Sequence, residues 1–187
     1  RWEELYGDDH PLLKNIYLYM YNDFMKEVIT KWKYRGDYII GEMFRSAYHS
    51  RFKEIYQSIW KDVVIVPIPL SRERVLDRGF KQASMLASFL TSDVKNVLVR
   101  NHSEKQAKKT RMERMSTKNP FSLNETINKT VLLVDDIYTT GRTLRHAAKI
   151  LKKSGCPEVH AYTLIRGYNQ KTDSHITYKI DKPVLLM

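Results

Sequence analysis

The sequence predicts an α/β protein in which a modest parallel sheet is flanked by helices and preceded by a helical segment. Three observations predict it. Short apolar, β-branched runs at 63–66 (Val-Val-Ile-Val) and 131–134 (Val-Leu-Leu-Val) have the length of buried strands. Amphipathic stretches of helical spacing alternate with them, as strands joined by crossover helices require. The third is bulk: 187 residues, 42% of them apolar, can bury a core of ordinary domain size.

In chain order, 11–33 carries Leu12, Leu13, Ile16, Tyr17, Met20, Phe24, Val28, Ile29 and Trp32 at helix-like intervals, with Asp9 and Pro11 as start signals. Residues 34–37 (Tyr-Arg-Gly-Asp) interrupt it, and a second helix is expected over 38–58. The run 63–66 reads as a strand ended by Pro67 and Pro69. A helix follows at 80–91 and a strand at 94–99. The run 131–134 is the clearest strand. A helix at 142–154 stops at Gly155 with Pro157 beyond, and 159–165 closes the series as a strand. The polar tail 168–187 alternates at Ile176, Tyr178 and Ile180, which suits either an added strand or a loose extension.

Composition removes several classes. Seven Gly and six Pro exclude a collagenous or low-complexity chain. A single cysteine, Cys156, excludes an internal disulfide framework and a cysteine-built zinc site, so no zinc is expected in this chain. No apolar run reaches the roughly 18 residues that span a bilayer, and no basic stretch leads an apolar one as in a signal peptide; the expectation is a cytoplasmic protein without membrane insertion. Lys and Arg number 32 against 21 Asp and Glu, a net charge of +11, which suits phosphate-bearing partners or a solvated surface.

The most informative segment is 131–143, Val-Leu-Leu-Val-Asp-Asp-Ile-Tyr-Thr-Thr-Gly-Arg-Thr. A buried strand delivers Asp135 and Asp136 to its carboxyl end, where open α/β sheets bind ligands. Adjacent carboxylates there can accept hydrogen bonds from vicinal ribose hydroxyls and hold the waters of a Mg²⁺ ion. The backbone N–H groups and hydroxyls of Thr139, Thr140, Gly141, Arg142 and Thr143, at a helix N-terminus, suit a phosphate. Asp-Asp after a strand also caps helices, and Thr-Thr-Gly is a common turn; the contiguous arrangement is what points to a sugar 5-phosphate. Tyr138 is placed either to stack on a base or to be buried at the sheet edge.

Residues 131–143 resemble the phosphoribosyl pyrophosphate (PRPP) motif of type I phosphoribosyltransferases. More narrowly, the chain resembles the ComF family of competence-associated phosphoribosyltransferase-like proteins. That match is carried by 33–37 (Lys-Tyr-Arg-Gly-Asp), by 66–70 (Val-Pro-Ile-Pro-Leu) running to 78–83 (Arg-Gly-Phe-Lys-Gln-Ala), and by Gln106, Arg114 and Phe121. The resemblance implies a type I phosphoribosyltransferase fold: a helical segment at 1–60, hood-like or packed on the core, a core at 61–167 and an extension at 168–187. It also implies that the loop 67–71 contacts pyrophosphate through Leu70 and Ser71, with Arg72 and Arg78 beside it. The alternative for 72–81 is a solvated basic turn.

Breaking the bond from C1 to pyrophosphate builds positive character on the sugar and releases a highly charged group, which Mg²⁺ and basic side chains must stabilise. The connection 100–118 holds seven basic and two acidic residues, a net +5 in nineteen residues. Type I enzymes place a mobile catalytic hood there, so the resemblance makes Lys105 and Arg111 catalytic candidates alongside Asp135 and Asp136; a plain surface charge run is the alternative. The partners implied are PRPP or a phosphoribosyl nucleotide with Mg²⁺, and, through DNA uptake in natural competence, single-stranded DNA and a helicase-type ATPase of the same operon. A non-catalytic scaffold of the uptake machinery and a pyrimidine-type salvage enzyme are the competing functions.

Three departures mark this chain. The four-cysteine zinc ribbon usual at the start of ComF proteins is absent, and Arg1-Trp2 resembles the segment that follows it, which implies a ribbon trimmed or lost. Lys81 stands where the family generally has Asn. Thr139 stands two residues before Gly141, where 6-oxopurine enzymes carry an Asp that serves as base, so a hypoxanthine–guanine enzyme is not expected.

Overall fold

The computed structural model describes residues 10–34, 37–56, 62–71, 75–76, 79–101 and 119–167. Among these, a four-stranded, wholly parallel sheet has the order β1-β6-β5-β2. The central strands are β5 (Val131–Tyr138) and β6 (Val159–Arg166); β1 (Lys14–Met20) and β2 (Val64–Pro67) lie outside them. The run 131–134 is fully buried on both faces, as a central parallel strand requires.

One face is covered by α1 (Asp23–Tyr34), α2 (Tyr38–Glu42), α3 (Arg45–Tyr56) and α4 (Gln82–Ser88). Its core joins Met25, Ile29 and Trp32 of α1 and Tyr48 and Phe52 of α3 to Leu132, Val134 and Tyr162 of the sheet. The rings of Tyr48 and Tyr162 stack at 4.2 Å, and each hydroxyl donates to the other's backbone carbonyl, at 3.1 and 3.0 Å. This reciprocal clasp fixes α3 on β6 and satisfies two buried phenols. The other face carries α5 (Arg142–Lys153), whose Leu144, Ala147, Ala148 and Leu151 recur at i, i+3, i+4 and i+7 and are all buried against Leu133, Val159 and Ala161. Beside α5 sits a small antiparallel pair, β3 (Leu98–Arg100) with β4 (Phe121–Leu123).

Several expectations are corrected. Residues 14–20 are not the first half of a helix over 11–33; they form an edge strand paired in parallel with β6, from Lys14↔His160 to Met20↔Arg166. The helix begins later, at Asp23, where the Asn22 side chain accepts the N–H of Met25 at 2.8 Å, the geometry of an N-cap. The helix expected over 38–58 is broken at 43–44 into α2 and α3. Residues 94–99 do not form one strand: Val94 makes a single bridge to Ile65, and pairing resumes at Leu98 with β4, which had no sequence signal. The helix over 142–154 ends as expected, with Gly155 at φ 107° and the N–H of Cys156 bonded to the Leu151 carbonyl. The tail 168–187 lies outside the described residues, among which no helix is long and apolar enough to cross a membrane.

Candidate functional site

The strand register assembles the site. Since β2 and β5 run parallel with Pro67 opposite Val134, the loop 68–71 leaves the sheet beside the acidic end of β5. The N–H of Ile68 bonds the Val134 carbonyl at 2.9 Å and that of Gly167, just past β6, bonds the Tyr138 carbonyl at 2.7 Å. Three loops thus leave one carboxyl edge together, the position at which parallel sheets bind ligands. A separate pocket of about 260 Å³, lined by Asp62, Val63, Thr91, Asp93 and Lys129, lies at the opposite edge, at the start of β2.

Asp135 and Asp136 stand where β5 reaches this edge. Asp136 is 9% exposed and forms an ion pair with Lys33 on the last turn of α1. The Asp135 carboxylate accepts the backbone N–H of Asp136 at 2.9 Å. Burial, and then the neighbouring Asp136 charge, hold the Asp135 carboxyl well above the usual carboxylate range, against the smaller opposing pull of that N–H and of Lys33. The pair is therefore unequal: Asp136 has a lysine as counter-charge, while Asp135 is biased toward its neutral form.

The turn after β5 has the shape a phosphate needs. Gly141 is the N-cap of α5 at φ 70°, a left-handed conformation, and a Cβ there would strike the Tyr138 hydroxyl and the Arg145 guanidinium. Thr139, Thr140 and Arg142 are exposed and Thr143 is half-buried. The Arg145 guanidinium donates to the Thr140 carbonyl at 3.0 Å, holding the turn to the helix it opens. The positive pole of α5 faces this turn. Tyr138 is buried, its ring faced by Arg166 at 4.4 Å and Arg145 at 5.9 Å; of the two placements open to it, burial is the one found.

On the neighbouring loop, Leu70 and Ser71 are half-buried. The Ser71 carbonyl accepts the N–H of Val75 and the Val75 carbonyl that of Gly79, both at 3.0 Å, leading the chain toward α4. Arg72 and Arg78, and Lys105 and Arg111 of the basic connection, lie outside the described residues. Lys81 turns out to be the N-cap of α4 and makes no side-chain cap bond, so the departure from Asn replaces a good capping residue by one that cannot cap.

Lys33 is the site residue that the sequence reading did not assign. Its signal was the Lys-Tyr-Arg-Gly-Asp segment, which marked a family without saying what the lysine does. Gly167 is the other: a Cβ on it would come within 3.1 Å of the Thr139 methyl, so a side chain there would push on the turn after β5. Among the described residues, no group of three or more His, Cys, Asp and Glu could hold a metal. The donor set at this edge is two carboxylates, which fits a Mg²⁺ ion held largely by water and ligand phosphates rather than a protein cage. Cys156 is buried, its Sγ donating to the Ile127 carbonyl at 2.9 Å, and burial pushes the thiol up, away from reactivity.

A parallel sheet with an acidic strand end, a glycine-capped turn opening a helix and a flanking loop defines a phosphoribosyltransferase-type domain, and the model of the phosphoribosyl transferase domain family matches residues 47–184. The chain is 40% identical over 168 residues to Competence protein ComFC of Bacillus subtilis (strain 168), covering 88% of this chain and 69% of that protein. It is 32% identical to Competence protein ComFC of Streptococcus pneumoniae (strain ATCC BAA-255 / R6) over 80% of this chain and 66% of that protein. Similarity extends to Competence protein F of Haemophilus influenzae (strain ATCC 51907 / DSM 11121 / KW20 / Rd), at 36% identity over 54% of this chain and 49% of that one. The chain belongs to the ComF family of phosphoribosyl transferase domain proteins. Among solved structures it is similar to a hypoxanthine phosphoribosyltransferase from Staphylococcus aureus, with 18% identity, 74% of this chain and 71% of that one covered, and a TM-score of 0.44.

Proposed function

We propose that this chain binds PRPP or a phosphoribosyl nucleotide with Mg²⁺ at the carboxyl edge of β2 and β5, and that it serves DNA uptake in natural competence. The observation that carries the ligand reading is the continuity of β5, turn and α5: the carboxylates and the turn lie on one strand–helix unit whose glycine N-cap is strained by any side chain and crowded by Tyr138 and Arg145. The competence role is supported by the names of the ComFC relatives.

On this reading Asp135 and Asp136 accept the ribose hydroxyls, and the backbone of 139–143 holds the 5-phosphate at the α5 N-terminus. Leu70 and Ser71, with Arg72 and Arg78, receive the pyrophosphate. Lys105 and Arg111 of the basic connection bring further positive charge to the departing group. Bound Mg²⁺ supplies charge stabilisation for the departing pyrophosphate. Thr139 gives no neutral-pH base, so the acceptor is not fixed by the turn. The test is thermal: PRPP with Mg²⁺ is expected to raise the melting temperature of the wild type and to leave Asp135→Ala/Asp136→Ala unchanged. Equal stabilisation of both proteins would rule out the assignment.

One observation favours a second reading, contact with single-stranded DNA by a scaffold that works with a helicase-type ATPase. Arg142, Lys149, Lys152 and Lys153 are all exposed on α5, which has no acidic residue. The Asn119 amide donates to the His146 carbonyl at 2.6 Å, which seats residue 119, the first described one after the basic connection, on this helix. Backbone contact by such a face is electrostatic and salt-sensitive. In a gel-shift series over salt, Lys149→Ala/Lys153→Ala is expected to flatten the slope of log affinity against log salt by about 1.4, roughly 0.7 per lost phosphate contact. An unchanged slope would remove α5 from the interface.

A further inference from the structure

Lys33 and Asp136 are 14% and 13% exposed at their side chains, so this is an ion pair mostly removed from water. Its lysine comes from a helix that is rigidly seated. Trp32, the preceding residue, is fully buried and packs against Phe44 at 6.0 Å and Phe80 at 6.2 Å. The lysine is thereby delivered to the acidic edge by α1, and its compact ammonium sits on Asp136 as a single point charge. The Asp135 carboxylate, in turn, is engaged with the backbone N–H of Asp136. The Asp136 carboxylate is thus not presented to solvent as an open cation ligand, while half-buried Asp135 keeps one oxygen outside that bond.

We propose that Lys33 is the resident cation of the acidic pair, filling the cation position on Asp136 in the free protein so that a divalent ion is taken up only together with the phosphoribosyl ligand. The inference rests on the reading of Asp135 and Asp136 as the sugar- and metal-facing pair. The physical reason is charge. An ammonium already neutralises Asp136, and a second, divalent charge brought within contact of the same carboxylate is repelled by it at low local dielectric. A ligand that carries its own phosphate oxygens changes that balance, because those oxygens supply most of the ion's coordination. Lys33 then acts as a positioning residue that makes metal binding conditional on ligand binding.

The experiment titrates Mn²⁺ into the full chain with no phosphoribosyl compound present, reading free Mn²⁺ by electron paramagnetic resonance. Lys33→Gln, which keeps a hydrogen-bond donor but loses the charge, is expected to bind Mn²⁺ at least about tenfold more tightly than the wild type, ~1.4 kcal/mol. Lys33→Arg is expected to stay at the wild-type value, and Asp136→Asn added to Lys33→Gln should abolish the gain. An unchanged affinity in folded Lys33→Gln overturns the proposal, as does an equal gain in Lys33→Arg. Should Lys33→Gln not fold, the wild type alone decides: tight Mn²⁺ binding that Asp136→Asn removes would overturn the proposal, and its absence would support it. Because no ligand enters this titration, failure of the ligand-binding reading appears separately, as a missing PRPP response of the wild type.

Discussion

Gly141→Val is expected to lose all stabilisation by PRPP and Mg²⁺ and to unfold about 2–5 kcal/mol more easily than the wild type. Two terms add. The residue sits at φ 70°, where a side chain costs ~1–2 kcal/mol of backbone strain. A Cβ there also meets the Tyr138 hydroxyl and the Arg145 guanidinium, and overpacking of this kind costs a further ~1–3 kcal/mol. Relief requires moving Arg145 off the Thr140 carbonyl or shifting the turn, and either opens the phosphate cradle. Gly79 is the internal control. Its φ is 72°, yet nothing lies within 4 Å of a Cβ built there, so Gly79→Ala should show only the strain, about 1 kcal/mol. Urea unfolding with equal m-values measures both. A Gly141→Val protein that kept the ligand response would show that the turn does not hold the phosphate.

The placement of the acidic pair and of the glycine turn after it was legible because the elements that set it are local. Strand, carboxylates, turn and helix start are contiguous in 131–143, and a buried strand followed by a glycine-opened helix has few ways to fold. Lys33 was not legible because its role depends on tertiary placement: nothing near 33 shows that α1 will end over β5. The strand β1 failed for a different reason. Leu12, Leu13, Ile16, Tyr17 and Met20 satisfy helical spacing, while 14–20 (Lys-Asn-Ile-Tyr-Leu-Tyr-Met) is also rich in the aromatic and branched residues that strands favour. With both periods satisfied, the parallel partner offered by β6 decides, and the Asn22 cap then starts the helix. The three-residue pair of β3 and β4 is too short for any period to register.

The same locality explains why two sequence departures carry different weight. Lys81 stands where the family generally has Asn, and its place at the N-cap of α4 makes this a change in helix capping. Thr139 lies on the exposed turn itself, so its lack of a carboxylate bears directly on what chemistry the turn can offer an acceptor.

Asp135→Asn is expected to separate stability from function, making the protein more stable near neutral pH while weakening PRPP binding about fivefold. The folded protein holds the Asp135 carboxyl well above its ordinary range, chiefly through burial and then through the Asp136 charge. Between the ordinary range, about pH 4, and that raised value, the folded state keeps a proton that the unfolded chain has lost. Stability therefore falls as pH rises across this window, and in stronger acid the difference disappears. Asparagine mimics the neutral acid, and its amide oxygen can still accept the Asp136 N–H now held at 2.9 Å. The melting temperatures of variant and wild type should coincide in acid and diverge toward neutral pH, by at least about 2–4 °C, the shift that ~1 kcal/mol produces in a chain of this size. Ligand binding moves the other way: the cation that accompanies the ligand favours ionised Asp135, and a hydrogen bond from a ribose hydroxyl to a charged acceptor is worth roughly 1 kcal/mol more than one to a neutral acceptor. A gap in melting temperature that did not change with pH would mean that burial of the Asp135 charge is not what limits stability. With the predicted divergence and the loss of binding together, the acidic end of β5 is a place where the fold keeps a destabilising carboxyl for the proposed ligand.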